Sequence, residues 1–241
     1  VVPDLPESGG HVQRVPLHDL KFGIEAILSD ESLREPAAHS ERMTLLVAMI
    51  SEALRRCGMV ATLVGGGAVE FYAPEGYVTY DIDLVVQAER GVLDRAALNS
   101  VFADLGFARQ ARHWVRDGVY VEVPGSYLED PFDQHQIGPY TMRVVRPEVV
   151  LVGRLVEFDQ TGHTGHGAQA ALLLQTMGDS WDQALLRDLL ARERCGNVFN
   201  ALERIVETGE PISDALLRDT WDRLRGRTPR VQAEQDGEEE D

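Results

Sequence analysis

Residues 60–86 read VATLVGGGAVEFYAPEGYVTYDIDLVV, and the order of chemistry along that run decides the fold. The apolar stretch 59–64 has the length and composition of a short buried strand. It runs into Gly65-Gly66-Gly67, after which Ala68, Val69 and Phe71 predict a helix that stops before Pro74. A helix opening on glycines presents unpaired N–H groups and the positive end of its dipole, an arrangement that favours an anion. Glycines also let the backbone approach a phosphate closely. The next strand is predicted over 81–86. Asp81 and Asp83 are two apart on it, so both side chains leave the same face while Ile82 and Leu84 face a core. Two carboxylates roughly 6.6–6.8 Å apart along a strand can share hard cations such as Mg²⁺, which prefer oxygen ligands. Like charges this close repel, and a bound cation relieves the repulsion.

Working outward, Met43, Leu46, Val47, Ile50, Ala53 and Leu54 recur at the spacing of an amphipathic helix over 41–57. Ser40 is its expected N-cap and Gly58 its stop. Residues 1–40 are read as an arm packed on the domain, with one weak helical stretch near Ile24–Leu28. Downstream, 93–105 is predicted helical. The runs 114–116 and 119–123 flank Asp117-Gly118, a two-residue hairpin signal. In the second of these runs Val119, Val121 and Val123 take one face, and Tyr120 and Glu122 the other. An acid set among valines carries a burial cost unless it is paired or bound to metal, which makes Glu122 a third candidate acid beside the alternative of a solvated hairpin face. A further strand is expected over 141–145. After Pro147 the pattern turns to helices over 147–158, 169–177, 181–194, 198–207 and 214–224, with 162–167 as a loop. The fold class is therefore α+β: a mixed α/β half over 41–146, then a helical region over 147–228 and an acidic tail over 229–241 that reads as disordered.

An apolar fraction of 44% suits a folded core, and no run approaches the ~18 apolar residues of a membrane span. With no signal-peptide pattern in the first ten residues, the chain is expected to be cytoplasmic and to have no membrane partner. Cys57 and Cys195 have no metal-ligand spacing and are read as free thiols. The formal charge of −17 repels a phosphate backbone and argues against bulk nucleic-acid binding. A local basic patch, Arg223, Arg225, Arg227 and Arg230, is set against its reading as a solvated helix end. Two phosphate-binding patterns are excluded: Lys21 is the sole lysine, so there is no Walker lysine, and Glu70 occupies the position where a dinucleotide-binding fingerprint needs its third glycine.

The run LVGGG followed by DIDLVV, within GGGAVEFY…GYVTYDIDLVV and with RPEVVLVGRLVEF downstream, resembles the nucleotidyltransferase superfamily signature. It is closest to the minimal bacterial type, including abortive-infection and toxin–antitoxin enzymes, and implies a nucleotidyltransferase-like mixed sheet with flanking helices. The resemblance implies that Gly65, Gly66 and Gly67 form the nucleotide-binding turn, with Gly66 and Gly67 at the triphosphate. It implies that Asp81, Asp83 and Glu122 are catalytic and metal-binding, holding two Mg²⁺ ions (Mn²⁺ is possible), and that Arg154 faces the nucleotide. The implied substrates are a nucleoside triphosphate such as ATP and an acceptor hydroxyl on a small molecule, a protein or a tRNA end. A homo-oligomer or a cognate partner protein is compatible with the same family. Three departures stand out: Gly67 lacks the serine many relatives carry, Tyr77 and Val78 replace an arginine before the acidic pair, and the third acid is Glu.

Two alternatives stand beside transfer. One is a binding protein on the same fold without turnover. The other is a sugar-nucleotide site with Mn²⁺ at Asp81 and Asp83, against which the absence of upstream α/β repeats counts. His163 and His166 in TGHTGHG have metal-compatible spacing, with Asp159 as a third ligand, but read first as a polar loop or as a lining of the acceptor cleft.

Overall fold

The computed structural model describes residues 16–34 and 38–227. Among these residues the chain is α+β, with a seven-stranded mixed sheet and nine α-helices. Helix α1 (His18–Ser29) precedes α2 (His39–Arg56), β1 (Met59–Val64), α3 (Gly65–Tyr72), β2 (Asp81–Ala88) and α4 (Arg95–Asp104). Strands β3 (Ala108–Gln110), β4 (His113–Arg116), β5 (Val119–Gly125), β6 (Phe132–Ile137) and β7 (Tyr140–Val145) complete the sheet. Helices α5 (Pro147–Thr161), α6 (Thr164–Met177), α7 (Gln183–Glu193), α8 (Gly196–Thr208) and α9 (Asp214–Leu224) follow. The acidic tail and the first fifteen residues lie outside the described residues.

The sheet order is β3-β4-β5-β2-β1-β7-β6. Strand β1 runs antiparallel to β2 and parallel to β7, while β2 runs parallel to β5. Strand β2 thus lies between two partners, and its faces separate as its alternation predicts. Ile82, Leu84 and Val86 are buried, whereas Asp81 is exposed and Asp83 half-buried. Helix α2 packs its apolar stripe on β1 and β7. Leu46, Ile50, Ala53 and Leu54 have no exposed surface. Each such leucine or isoleucine contributes about 1.5–3 kcal/mol of burial. One apolar core runs from Leu17 to Leu217, so the helices after Pro147 share it with the sheet.

Several local expectations are corrected. Ser40 does not cap α2, which starts at His39 with Ala38 at the cap position and no side-chain cap. Its hydroxyl instead donates to Glu70 Oε1 at 2.6 Å, because a carboxylate only 2% exposed must find donors. The weak helix near Ile24–Leu28 is a full twelve-residue helix burying Leu20, Ile24 and Leu28. Gly23 hid it: a Cβ there would stand 2.1 Å from Met49 Cε, so the glycine serves the close approach of α1 to α2. The expected loop 162–167 is mostly the first turn of α6. Gly167 is helical, and a Cβ there would meet the Phe158 ring at 3.0 Å. Strands β3 and β6 were not foreseen; both are edge strands with little or no buried surface.

Candidate active site

The glycine turn is the junction of β1 and α3. Gly65 has φ +62°, in the left-handed region, and a Cβ there would lie 2.3 Å from Asp83 Oδ2. Only glycine admits both the backbone turn and the carboxylate beside it. The Gly66 amide lies near the Asp83 carboxylate and favours its charged form. A Cβ at Gly67 would press on Leu63 Cδ1 at 2.9 Å, so this position faces the core and a serine hydroxyl here would be buried.

The three acids lie on one face of neighbouring strands. Asp83 is in register with Glu122 on β5, and Asp81 with Tyr120. Burial pushes the Asp83 carboxyl above the ordinary aspartate value, and the charges of Glu122 and Asp81 push it further. The Gly66 amide and the charge of Arg154 pull the other way. The register continues into the hairpin, where His113 on β4 faces Glu122. Glu122 Oε2 lies 3.2 Å from His113 Nε2 and 3.3 Å from Arg112 Nε. Neither Arg112 nor His113 was singled out from sequence, although a two-residue turn at Asp117-Gly118 pairs His113 with Glu122 by counting outward.

Arg154 projects from α5 into a cleft of about 190 Å³ that also contains Gly65, Leu128, Val149 and Gly153. Its side chain is 12% exposed, and it is ion-paired to Glu157. His166 Nδ1 stands 3.1 Å from Glu157. Burial most of all holds the His166 ring below its ordinary pKa, with the charges of Arg154 and His163 adding to it against the pull of Glu157. The arginine and the glycine turn therefore share one cleft.

No family model matches this chain, and no curated protein or solved structure does.

The other candidates resolve into packing. His163 and His166 have ring centroids 5.0 Å apart. Asp159 does not join them: its carboxylate pairs with Arg225 at 3.1 Å, and its carbonyl accepts from Trp221 Nε1 at 2.9 Å. Arg225 and Arg227 flank the Trp221 ring at 5.7 and 4.9 Å from its centroid, which fits a helix end rather than a nucleic-acid patch; Arg230 lies outside the described residues. Cys57 and Cys195 are free thiols.

Asp81, Asp83 and Glu122 offer only oxygen donors, and the raised Asp83 carboxyl marks negative charge that a cation would relieve, so the donor set suits a hard divalent ion. Among the described residues no three His, Cys, Asp or Glu side chains are drawn together at metal-ligand spacing. Glu122 is turned toward Arg112 and His113. None of the helices described is long and apolar enough to cross a membrane.

Proposed function

We propose that this chain is a Mg²⁺-dependent nucleotidyltransferase of the minimal bacterial type, moving an NMP group from a nucleoside triphosphate to an acceptor hydroxyl. The observation that carries the reading is the row of acids: Asp83 in register with Glu122, Asp81 on the same face, and a carboxyl at Asp83 raised by burial and by both neighbours. The Gly66 amide and the charge of Arg154 both favour the charged form of Asp83 in that row.

Each residue then has a task. The acceptor oxygen attacks the α-phosphorus, the bond to pyrophosphate breaks, and the hydroxyl proton must leave. The first-turn amides of α3 beyond Gly66 receive phosphate oxygens. Arg154 supplies positive charge across the cleft. Glu122, with His113 beside it, takes up the hydroxyl proton. Asp81 and Asp83 would hold divalent cations, which when bound neutralise the triphosphate and the departing pyrophosphate. The acceptor class stays as broad as the sequence leaves it: a small molecule, a protein or a tRNA end.

The test is label transfer and pyrophosphate release with each labelled nucleoside triphosphate and Mg²⁺. Asp81→Ala and Asp83→Ala should each abolish both while the circular dichroism spectrum is unchanged. Full activity in the double variant sinks the reading. A second reading, nucleotide binding without turnover, is favoured by one observation, the engagement of Glu122 by Arg112 and His113. Calorimetric binding of a nucleoside triphosphate with no pyrophosphate released on any acceptor supports that version.

A further inference from the structure

A second cleft, of about 300 Å³, opens at the start of β2 on the α2 face, where Met43 and Val119 are buried, opposite the face that bears the acids. Its wall is α2, through His39, Arg42 and Met43; its mouth is Tyr80 with Val78, and the β4–β5 turn closes the far side. The volume lies at the lower end of small-ligand pockets.

Its chemistry is uneven in a way that selects a ligand. Among the described residues Arg42 makes no ion pair or hydrogen bond, and its Nε is buried. Buried polar groups are nearly always partnered, so the buried Nε of this half-exposed, always-charged arginine is an open donor at the cleft wall in a chain of formal charge −17. The acid in the lining, Asp117, does not answer it: that carboxylate is 65% exposed and lies 3.6 Å from Arg116 Nε. Beside this cation stand two apolar surfaces with nothing over them, Tyr80 at 68% and Val78 at 45% exposure.

The wall is also held in place. His39 Nε2 donates to the Thr79 carbonyl at 2.8 Å, and the Thr79 N–H donates to buried Glu70 at 2.8 Å. The Tyr80 ring meets the His39 ring edge-on, with centroids 5.3 Å apart. His39 and Arg42 are three apart on α2, neighbours on one helical face. A ligand here finds a cation on the wall helix and an aromatic ring braced by His39.

We infer that this cleft is a binding site for a small organic anion, a phosphate or carboxylate on a flat apolar body, with Arg42 holding the acid group and Tyr80 covering the ring. It is separate from the carboxylate face and stands whether or not the chain transfers nucleotides. The adjoining Thr79–Tyr80 segment leads directly into Asp81, so the ligand sits at the root of the acidic strand.

The experiment titrates the full chain, ¹⁵N-labelled, with phenyl phosphate, benzoate, inorganic phosphate and benzyl alcohol, following backbone amide shifts. Phenyl phosphate and benzoate are expected to give saturable shifts at Thr79, Tyr80 and Gly118, and benzyl alcohol none. Arg42→Gln should weaken phenyl phosphate at least tenfold with an unchanged melting temperature. Tyr80→Ala should bring phenyl phosphate and inorganic phosphate to equal affinity. Asp81→Ala/Asp83→Ala should bind phenyl phosphate as wild type does, which separates this site from the transfer reading. The inference is overturned by an absence of saturable shifts with both aryl anions, by wild-type affinity in Arg42→Gln, or by loss of binding in the double aspartate variant.

Discussion

Replacing Gly65 by alanine probes the contact between the glycine turn and the acidic strand. The backbone there has φ +62°, and the left-handed conformation costs an L-residue about 1–2 kcal/mol. The new Cβ would fall 2.3 Å from Asp83 Oδ2 and 3.0 Å from its Cγ, so the carboxylate must rotate away. Rotation takes the charge away from the Gly66 amide that favours it, and amide contacts to charged groups contribute up to about 1.5–3 kcal/mol. The lower unfolded-state entropy of alanine offsets about 0.4–1 kcal/mol. Gly65→Ala should therefore destabilise the fold by about 2–4 kcal/mol, a large part of the ~5–15 kcal/mol typical of a domain. Urea unfolding at neutral pH measures it. In an Asp83→Ala background the carboxylate is gone and the backbone term alone remains, so a double-mutant cycle should give a coupling of about 1–3 kcal/mol. A Gly65→Ala variant within about 0.5 kcal/mol of wild type, or a coupling near zero, refutes the geometry from which the site is built.

The pH dependence of stability tests the Asp83 environment. Its folded pKa is raised above the ordinary 3.8, chiefly by burial and then by Glu122 and Asp81, so its contribution is full below 3.8 and is lost as pH rises through the folded value. Asp83→Asn should match wild type in urea midpoint near pH 3.5 and exceed it at pH 7; an equal difference at both pH values contradicts the assignment. Thiol labelling tests the helical half, since burial pushes the Cys195 thiol up to about 11 while Cys57 is half-buried. With an aromatic disulfide reagent at pH 7.5, Cys57 should react slowly and Cys195 only after unfolding. Two fast equivalents in the native chain would contradict that burial.

Much of this site was legible because its signals are local. The strand-turn-helix at Gly65, the alternation around Asp81 and Asp83, and the Asp117-Gly118 hairpin each follow from a few adjacent residues. The hairpin even encodes the pairing of Glu122 with His113, which needed only counting. The parallel pairing of β2 with β5, which sets Asp83 beside Glu122, has no local signal, because strands about forty residues apart find their register through the core. Glycine misled in the helices. At Gly23 and Gly167 it marks tight packing between helices, whereas composition alone reads it as a break. Edge strand β6 is FDQHQI, whose polar alternation carries no buried stripe. Glu70, dismissed as a missing third glycine, is the buried acid that fixes Thr79 ahead of the acidic pair.

The place of β2 between β1 and β5 limits how chains of this kind can vary. One residue gained or lost inside β2 ahead of Asp83 would turn Ile82 to solvent and drive Asp81 toward the core, while the one-residue irregularity in the β2–β5 ladder falls only after Asp83. The connections at 89–94 and 126–131 bear no such restriction. Length change is therefore easier in those loops, and designed or divergent versions must hold the two-residue step from Asp81 to Asp83 constant while the segments around it lengthen or shrink.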